Sequence, residues 1–399
     1  LQEGNQRVSG CLPCLIIMSG IYIHIPFCAS RCIYCDFYST TLRGKGHEYV
    51  DAILNEYNQR SDFLPQGEPL RTIYIGGGTP SQLPAKELAR LIDGIINDAT
   101  GSQSIGSIDE LTIEANPEDI TEEWAETIVT GIPHIVTSSC PHKKTPLRIS
   151  MGVQSLIDSE LKTINRRHDS RKPAEAVKIL RHYGISNISL DLMYGLPNQT
   201  IQTWEKSIDG IIALAPEHIS AYCLSIEQGT PLERMIETGH LKPCDDEICL
   251  AMATLLRDRL REAGYKQYEI SNYAKPGFCS IHNSSYWDGT PYLGLGPGAH
   301  SYNGKRLRCW NEHDITSYLM GNRKESHEEL NDNDLYNEKI MLGLRTAKGI
   351  ECGLFSDAKV IQTIDDLCRR DLVAIKNNHL VLTEAGLALA DEVIRELMT

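Results

Sequence analysis

Along the chain, short apolar runs rich in β-branched residues alternate with stretches whose apolar positions recur three and four residues apart. Six runs read as buried strands, at residues 21–25, 72–75, 111–114, 148–153, 188–192 and 219–224. Between them, residues 49–59, 85–98, 174–183 and 201–214 carry the single apolar stripe of a helix lying on a sheet. Near-continuous apolar strands alternating with helices predict right-handed parallel βαβ units. Six such units make an α/β fold, a partial (β/α)6 barrel two strands short of a closed eight.

The pattern changes near Asn331. Residues 335–344 and 365–370 read as helices, and residues 372–382 as a hairpin turning at Asn377 and Asn378. Thr383 caps a final helix, with Glu384 in its first turn and Leu387, Val393, Ile394 and Leu397 free to pack. Helices followed by a hairpin predict a small α+β winged-helix-like unit. Its candidate face is poor in Arg and Lys, which favours packing or partner docking over DNA. The expected division is a leader over 1–17, a barrel over 18–240, a barrel extension over 241–330 and the winged-helix-like unit over 331–399. The leader contains Cys11-Leu-Pro-Cys14, a redox or zinc half-site without a second pair, and the apolar patch Leu15-Ile-Ile17. That patch is too short to span a bilayer and lacks the charged flank of a signal peptide. Residues 1–17 therefore read as non-native leader, with Met18 as the natural start.

Composition narrows the function. With 399 residues, 41% of them hydrophobic, the chain can build one large core and one smaller one. Its 53 acidic and 39 basic residues give a net charge of -14 without long runs, so a phosphate-tracking surface, and nucleic acid as partner, are not expected. Thirteen cysteines without a secretory leader predict a reducing compartment, the cytoplasm, and thiols or metal in place of a disulfide framework.

In parallel α/β folds, working residues gather at the carboxyl ends of strands. Here Cys28-x-x-x-Cys32-x-x-Cys35 follows the first strand, Gly76-Gly-Gly-Thr-Pro80 the second, Gln154 the fourth and Asp191 the fifth, while Glu114 lies within the third. Three thiolates in a tight loop suit three corners of a 4Fe-4S cluster and leave the fourth iron open. The amino and carboxylate groups of S-adenosylmethionine can fill that position. The plainer alternatives are three reduced cysteines, or a zinc site completed by His24. Glycines at a strand end let the backbone approach a ligand closely. Glu114 and Asp191 can accept hydrogen bonds from ribose hydroxyls or an amine, and Arg166 suits a carboxylate. Each of these residues alone fits an ordinary turn or surface ion pair better, and it is position after the cysteine loop that reverses the balance for the glycine turn.

From Ile21 to Leu232 the chain resembles the radical SAM superfamily, and within it the group related to oxygen-independent coproporphyrinogen III oxidase. The resemblance is carried by Tyr22-Ile-His-Ile-Pro-Phe-Cys28, Gly76-Gly-Gly-Thr-Pro80, Ser150-Met-Gly-Val-Gln154 and Asp191-Leu-Met-Tyr-Gly-Leu-Pro197, and it extends over nearly the whole chain from Met18. It implies that Cys28, Cys32 and Cys35 ligate the cluster, and that Tyr22, Gly77, Gly78, Thr79, Glu114, Gln154, Arg166 and Asp191 line the S-adenosylmethionine site. The oxidase has a further cysteine two residues after the third, where this chain has Phe37, and a long extension ahead of the cluster loop, which here begins ten residues after Met18. His282-Asn-Ser-Ser-Tyr-Trp287 is the His-Asn-x-x-Tyr-Trp motif that marks the sister branch, the HemW haem chaperone family.

That branch implies haem as cargo and haem-acceptor proteins as partners, membrane respiratory proteins among them, with a homodimer as an open alternative. An imidazole is a good axial ligand, so His282 is cast as a haem ligand with Tyr286 and Trp287 stacking on the porphyrin. The plainer alternative is a satisfied core histidine beside packed aromatics. No turnover is required of a chaperone, so whether the chain is an enzyme stays open. The alternatives are a radical decarboxylase acting on coproporphyrinogen and a cluster-sensing winged-helix regulator.

Two segments carry separate expectations. Tyr292-Leu-Gly-Leu-Gly-Pro-Gly-Ala-His300 reads as a glycine-rich loop passing close to the barrel mouth and cofactor. It is not a dinucleotide fingerprint, because no strand–helix unit with an acidic residue about twenty positions on follows it. Residues 130–147, with Pro133, Pro141 and Pro146, replace the short turn of the family pattern by an insertion holding His134, Cys140 and His142 as metal-ligand types.

Overall fold

The computed structural model describes residues 19–65, 69–102, 108–132, 135–136 and 145–398. The leader, with Cys11 and Cys14, and His134, Cys140 and His142 of the insertion lie outside the described residues.

Six parallel strands pair in chain order: β1 (Ser19–Ile25), β2 (Leu70–Gly77), β3 (Glu110–Ala115), β4 (Thr145–Gln154), β5 (Asn187–Tyr194) and β6 (His218–Cys223). Helices α1 (Gly46–Arg60), α2 (Ala85–Ser102), α3 (Glu122–Gly131), α4 (Asp158–Thr163), α5 (Lys172–His182) and α6 (Ile201–Ala213) fill the crossovers. Two more, α7 (Pro231–Glu237) and α8 (Asp246–Glu262), follow β6. The side-chain alternation of a strand divides the sheet into two faces. Ile21, Ile23 and Ile25 of β1, Ile73 and Ile75 of β2, Leu111 and Ile113 of β3, and Ile149 and Met151 of β4 join the helices in one apolar core. The other phase, including Tyr22, His24, Tyr74, Glu114, Ser150 and Asp191, forms a polar barrel interior.

Both sheet edges are extended. Strand β7 (Asn272–Ala274) pairs antiparallel with β6 and also with the two-residue strand Lys266–Gln267. At the far edge, β8 (Tyr292–Leu295) pairs parallel with β1, and β9 (His300–Tyr302), β10 (Leu307–Asn311) and β11 (Glu325–Glu329) continue antiparallel. The segment expected to be a glycine-rich loop near the cofactor is therefore a strand and a tight return. A Cβ at Gly294 would lie 1.9 Å from the His300 carbonyl oxygen, and one at Gly296, which has φ +94°, would lie 2.7 Å from the His24 carbonyl oxygen. These glycines serve backbone packing against β9 and β1. Glycine also weakens the strand signal, which is why the sequence pattern hid this element.

Helix α9 (Ile281–Trp287) carries the His-Asn-x-x-Tyr-Trp motif. Its amino terminus docks on Glu110 at the start of β3. One carboxylate oxygen accepts from the Ser280 hydroxyl at 3.0 Å and the His282 amide at 3.1 Å, and the other from the Ile281 amide at 2.9 Å. A carboxylate offered to free amides at a helix start satisfies both groups, so a buried charge is tolerated there. The motif helix thus closes the amino-terminal end of the barrel.

The C-terminal unit has its own apolar cluster, built from helices Asp332–Leu344, Ala358–Arg369 and Ala390–Leu397 and a hairpin of Val373–Lys376 and His379–Leu382. Asn377 and Asn378 sit at φ 48° and 63°, the pair of left-handed positions that a two-residue hairpin needs. The second helix begins at Ala358, earlier than the pattern suggested. The final helix is broken, with Thr383 capping a short segment Glu384–Ala388 before Ala390–Leu397 resumes.

Candidate functional site

The loop after β1 is pinned at its neck. Cys28 N donates to the Thr40 carbonyl at 2.9 Å, and Thr40 N to the Pro26 carbonyl at 2.7 Å. The loop folds back at the carboxyl end of the strand, and Cys28, Cys32 and Cys35 line one cavity of about 470 Å³. Gly77, Gly78, Thr79, Glu114, Gln154, Arg166 and Asp191 line the same cavity. Of the expected cofactor residues only Tyr22 is placed elsewhere. Its hydroxyl lies 3.1 Å from His24 Nδ1, and its ring faces a neighbouring cavity.

Two of the three thiols resist ionising. Burial, then the neighbouring Cys32 and Cys28, push the Cys35 thiol up to about 11, and burial raises Cys28. Iron bound by them would reverse that balance, because a coordinating thiol is deprotonated by its metal. The glycine turn opposite packs closely on the end of β1. Gly77 has φ +107° and a Cβ there would lie 2.5 Å from the His24 ring, while one at Gly78 would lie 2.8 Å from the Pro26 carbonyl carbon. Among the polar atoms on the walls, Gln154 Oε1 and Arg166 Nε are buried without a partner among the described residues. Gln154 also holds φ +69°, a left-handed conformation that costs a non-glycine residue about 1 kcal/mol or more. Unspent donors and acceptors beside three thiols fit a 4Fe-4S cluster carrying S-adenosylmethionine.

The Arg166 Nη atoms, Glu114 and Asp191 are already tied in. Arg166 places Nη2 2.7 Å from Asn116 Oδ1 and 2.5 Å from the Gly152 carbonyl, and Nη1 3.6 Å from Cys32 Sγ. Glu114 accepts from the Tyr74 hydroxyl at 2.6 Å and the Gly77 amide at 3.2 Å. Burial, with Asp191 nearby, pushes its carboxyl up to about 7. Burial raises Asp191 too, against hydrogen bonds from Ser220 and Ser150. Behind both stands Arg148, 1% exposed, whose guanidinium nitrogens have no hydrogen-bond partner among the described residues. Its charge favours ionisation of both acids.

His282 is not placed as the sequence suggested. The ring is fully buried, with Nδ1 2.8 Å from the Thr72 hydroxyl and Nε2 2.9 Å from the Tyr286 hydroxyl. It stacks on Tyr74, and burial followed by the Arg148 charge lowers it to about 3. Both nitrogens of this neutral imidazole are occupied, so as placed it is the satisfied core histidine and presents no lone pair to a haem iron. Tyr286 reaches the neighbouring cavity, whereas Trp287 is half-buried with its indole nitrogen lacking a partner among the described residues. Sequence reasoning missed Tyr74 and Arg148. Strand alternation was the available signal, since both share the inward phase of their strands with Gly76 and Ser150.

Six parallel βα units with three cysteines after the first strand and a glycine turn after the second define a radical SAM protein. The radical SAM superfamily model matches residues 22–211, and the HemN C-terminal domain model matches residues 330–389. "Heme chaperone HemW" of Mycobacterium tuberculosis is 32% identical over 387 residues, covering 95% of this chain and 94% of that protein. The protein of the same name from Bacillus subtilis is 33% identical over 393 residues, covering 94% and 98%. The chain belongs to the HemW family. Coproporphyrinogen III oxidase (HemN) from Escherichia coli shares the fold with a TM-score of 0.78 at 20% identity, over 96% of this chain and 90% of that one.

Proposed function

We propose that this protein binds haem and hands it to acceptor proteins, holding a 4Fe-4S cluster on Cys28, Cys32 and Cys35 with S-adenosylmethionine at the open iron. The observation that carries the proposal is the near full-length similarity to proteins named heme chaperone. Phe37, 63% exposed at the edge of the cluster cavity, adds to it by standing where the oxidase has its further cysteine.

In this reading the backbone at Gly77, Gly78 and Thr79 lies along the S-adenosylmethionine, Glu114 and Asp191 accept from its amine or ribose hydroxyls, and Gln154 and Arg166 meet its remaining polar groups. When bound, the cluster and S-adenosylmethionine supply a one-electron centre and a cleavable sulfonium. Haem transfer needs neither to be consumed. Tyr74 connects that cavity to the motif helix through its contacts with Glu114 and His282. The setting proposed is the cytoplasm, with membrane respiratory proteins as candidate acceptors. No helix among the described residues is long and apolar enough to cross a membrane.

The test is an anaerobic haem titration of the reconstituted protein, followed at the Soret band, beside an assay for coproporphyrinogen decarboxylation. Stoichiometric haem binding without decarboxylation is expected. Decarboxylation without haem binding would make the protein an oxidase and sink the proposal.

A further inference from the structure

A second cavity of about 320 Å³ opens beside the cluster cavity and shares Phe37 with it. Its walls include Tyr38, Tyr286 of α9, Tyr292 of β8, and the imidazoles of His300 and His313. The chain reaches this arrangement by the tight return after β8, which starts β9 at His300. The loop after β10 then brings His313 alongside Gly298, where a Cβ would lie 3.0 Å from the His313 ring. His313 stacks on Tyr38 with centroids 4.8 Å apart and planes at 16°, and His300 on Trp310 at 5.7 Å and 19°.

Ring faces, not ring nitrogens, hold these two imidazoles. Both are exposed, and among the described residues neither makes a hydrogen bond. The contrast with the histidines around them is sharp. His24 places Nδ1 on the Tyr22 hydroxyl and Nε2 2.8 Å from the Tyr38 carbonyl, and both nitrogens of His282 are occupied. Desolvation by the surrounding rings, with His313 and Arg308 near, lowers His300 and so favours the neutral form, the one that ligates iron. Aromatic walls and unoccupied imidazole nitrogens suit a flat metal-bearing ring.

We propose that haem binds in this second cavity, its porphyrin against Tyr38, Tyr286 and Tyr292, with an imidazole of the pair His300 and His313 as axial donor to iron. The inference rests on the haem-binding reading above and relocates the ligand. The His-Asn-x-x-Tyr-Trp motif then contributes a wall through Tyr286, while His282 positions that tyrosine.

The experiment is ferric haem titration of the full-length, anaerobically reconstituted protein as wild type, His300→Ala, His313→Ala, the double variant and His282→Ala. It is read by the Soret band and by the spin state in electron paramagnetic resonance, with and without added imidazole. We expect one single variant and the double variant to lose about tenfold or more in affinity and to change spin state. Imidazole should restore the spectrum, and the cluster absorbance should be unchanged. A double variant that matches wild type overturns the site. If only His282→Ala loses the wild-type spectrum, haem binding stands and this site falls. If wild type takes up no haem, the haem-binding reading fails and this inference with it.

Discussion

The imidazole of His282 stacks on the ring of Tyr74, with centroids 5.0 Å apart and planes 28° from parallel. The same tyrosine donates to Glu114 at 2.6 Å, so one side chain touches both the motif helix and the cofactor cavity. Tyr74→Phe keeps the stack and removes the donation. It leaves a half-buried carboxylate short of a partner, which costs about 1–3 kcal/mol. The variant should unfold at lower temperature and bind S-adenosylmethionine more weakly. A cycle with Glu114→Gln should be non-additive, because the two residues share one hydrogen bond. Additive losses would mean that the contact does not couple them.

The cluster assignment makes each cysteine of the loop necessary. Cys28→Ala, Cys32→Ala and Cys35→Ala should each lose most iron and visible absorbance after anaerobic reconstitution, with the circular dichroism of the barrel retained. Phe37→Cys should leave iron content unchanged, since its side chain stands at the cavity edge and the three thiols already define the cluster site. Full iron retention in all three alanine variants would falsify the assignment.

Glu114 gives the apo-protein a pH dependence whose sign is fixed. Its carboxyl is held at about 7 in the fold, above the ordinary value of about 4.3. Between those values the folded state binds more protons than the unfolded state, so this group's contribution to stability falls as pH rises and is lost above about 7. Glu114→Gln, neutral at every pH, should therefore be more stable than wild type near pH 8, by on the order of 3–4 kcal/mol. Near pH 4 the two should differ little. Melting temperatures across that range check the sign, and a variant that loses stability most at pH 8 contradicts it.

The barrel was legible because its strands and helices repeat a strong two-period pattern, and the chemistry was legible because it lies where such strands end. Cys28, Cys32, Cys35 and seven of the residues expected around S-adenosylmethionine do meet in one cavity. What escaped the sequence depends on contacts between distant segments. Nothing local to His282 reveals that Thr72, 210 positions away, will take its Nδ1. Strand β8 was hidden by its glycines, and with it the return that carries His300 to the second cavity. The break in the last helix, at Leu389 between Ala388 and Ala390, follows Gly386, where a Cβ would lie 1.8 Å from the Leu372 carbonyl oxygen, again a contact with a segment outside the helix.

A chaperone differs from a passive haem binder in how the haem leaves. The decisive measurement is the rate at which haem-loaded protein, cluster intact, gives up haem to a haem-depleted membrane fraction at increasing acceptor concentration, followed by stopped-flow at the Soret band. Direct hand-over through a complex gives a rate that rises with acceptor concentration above the spontaneous release rate. A rate that stays at the spontaneous value at every acceptor concentration would contradict the account.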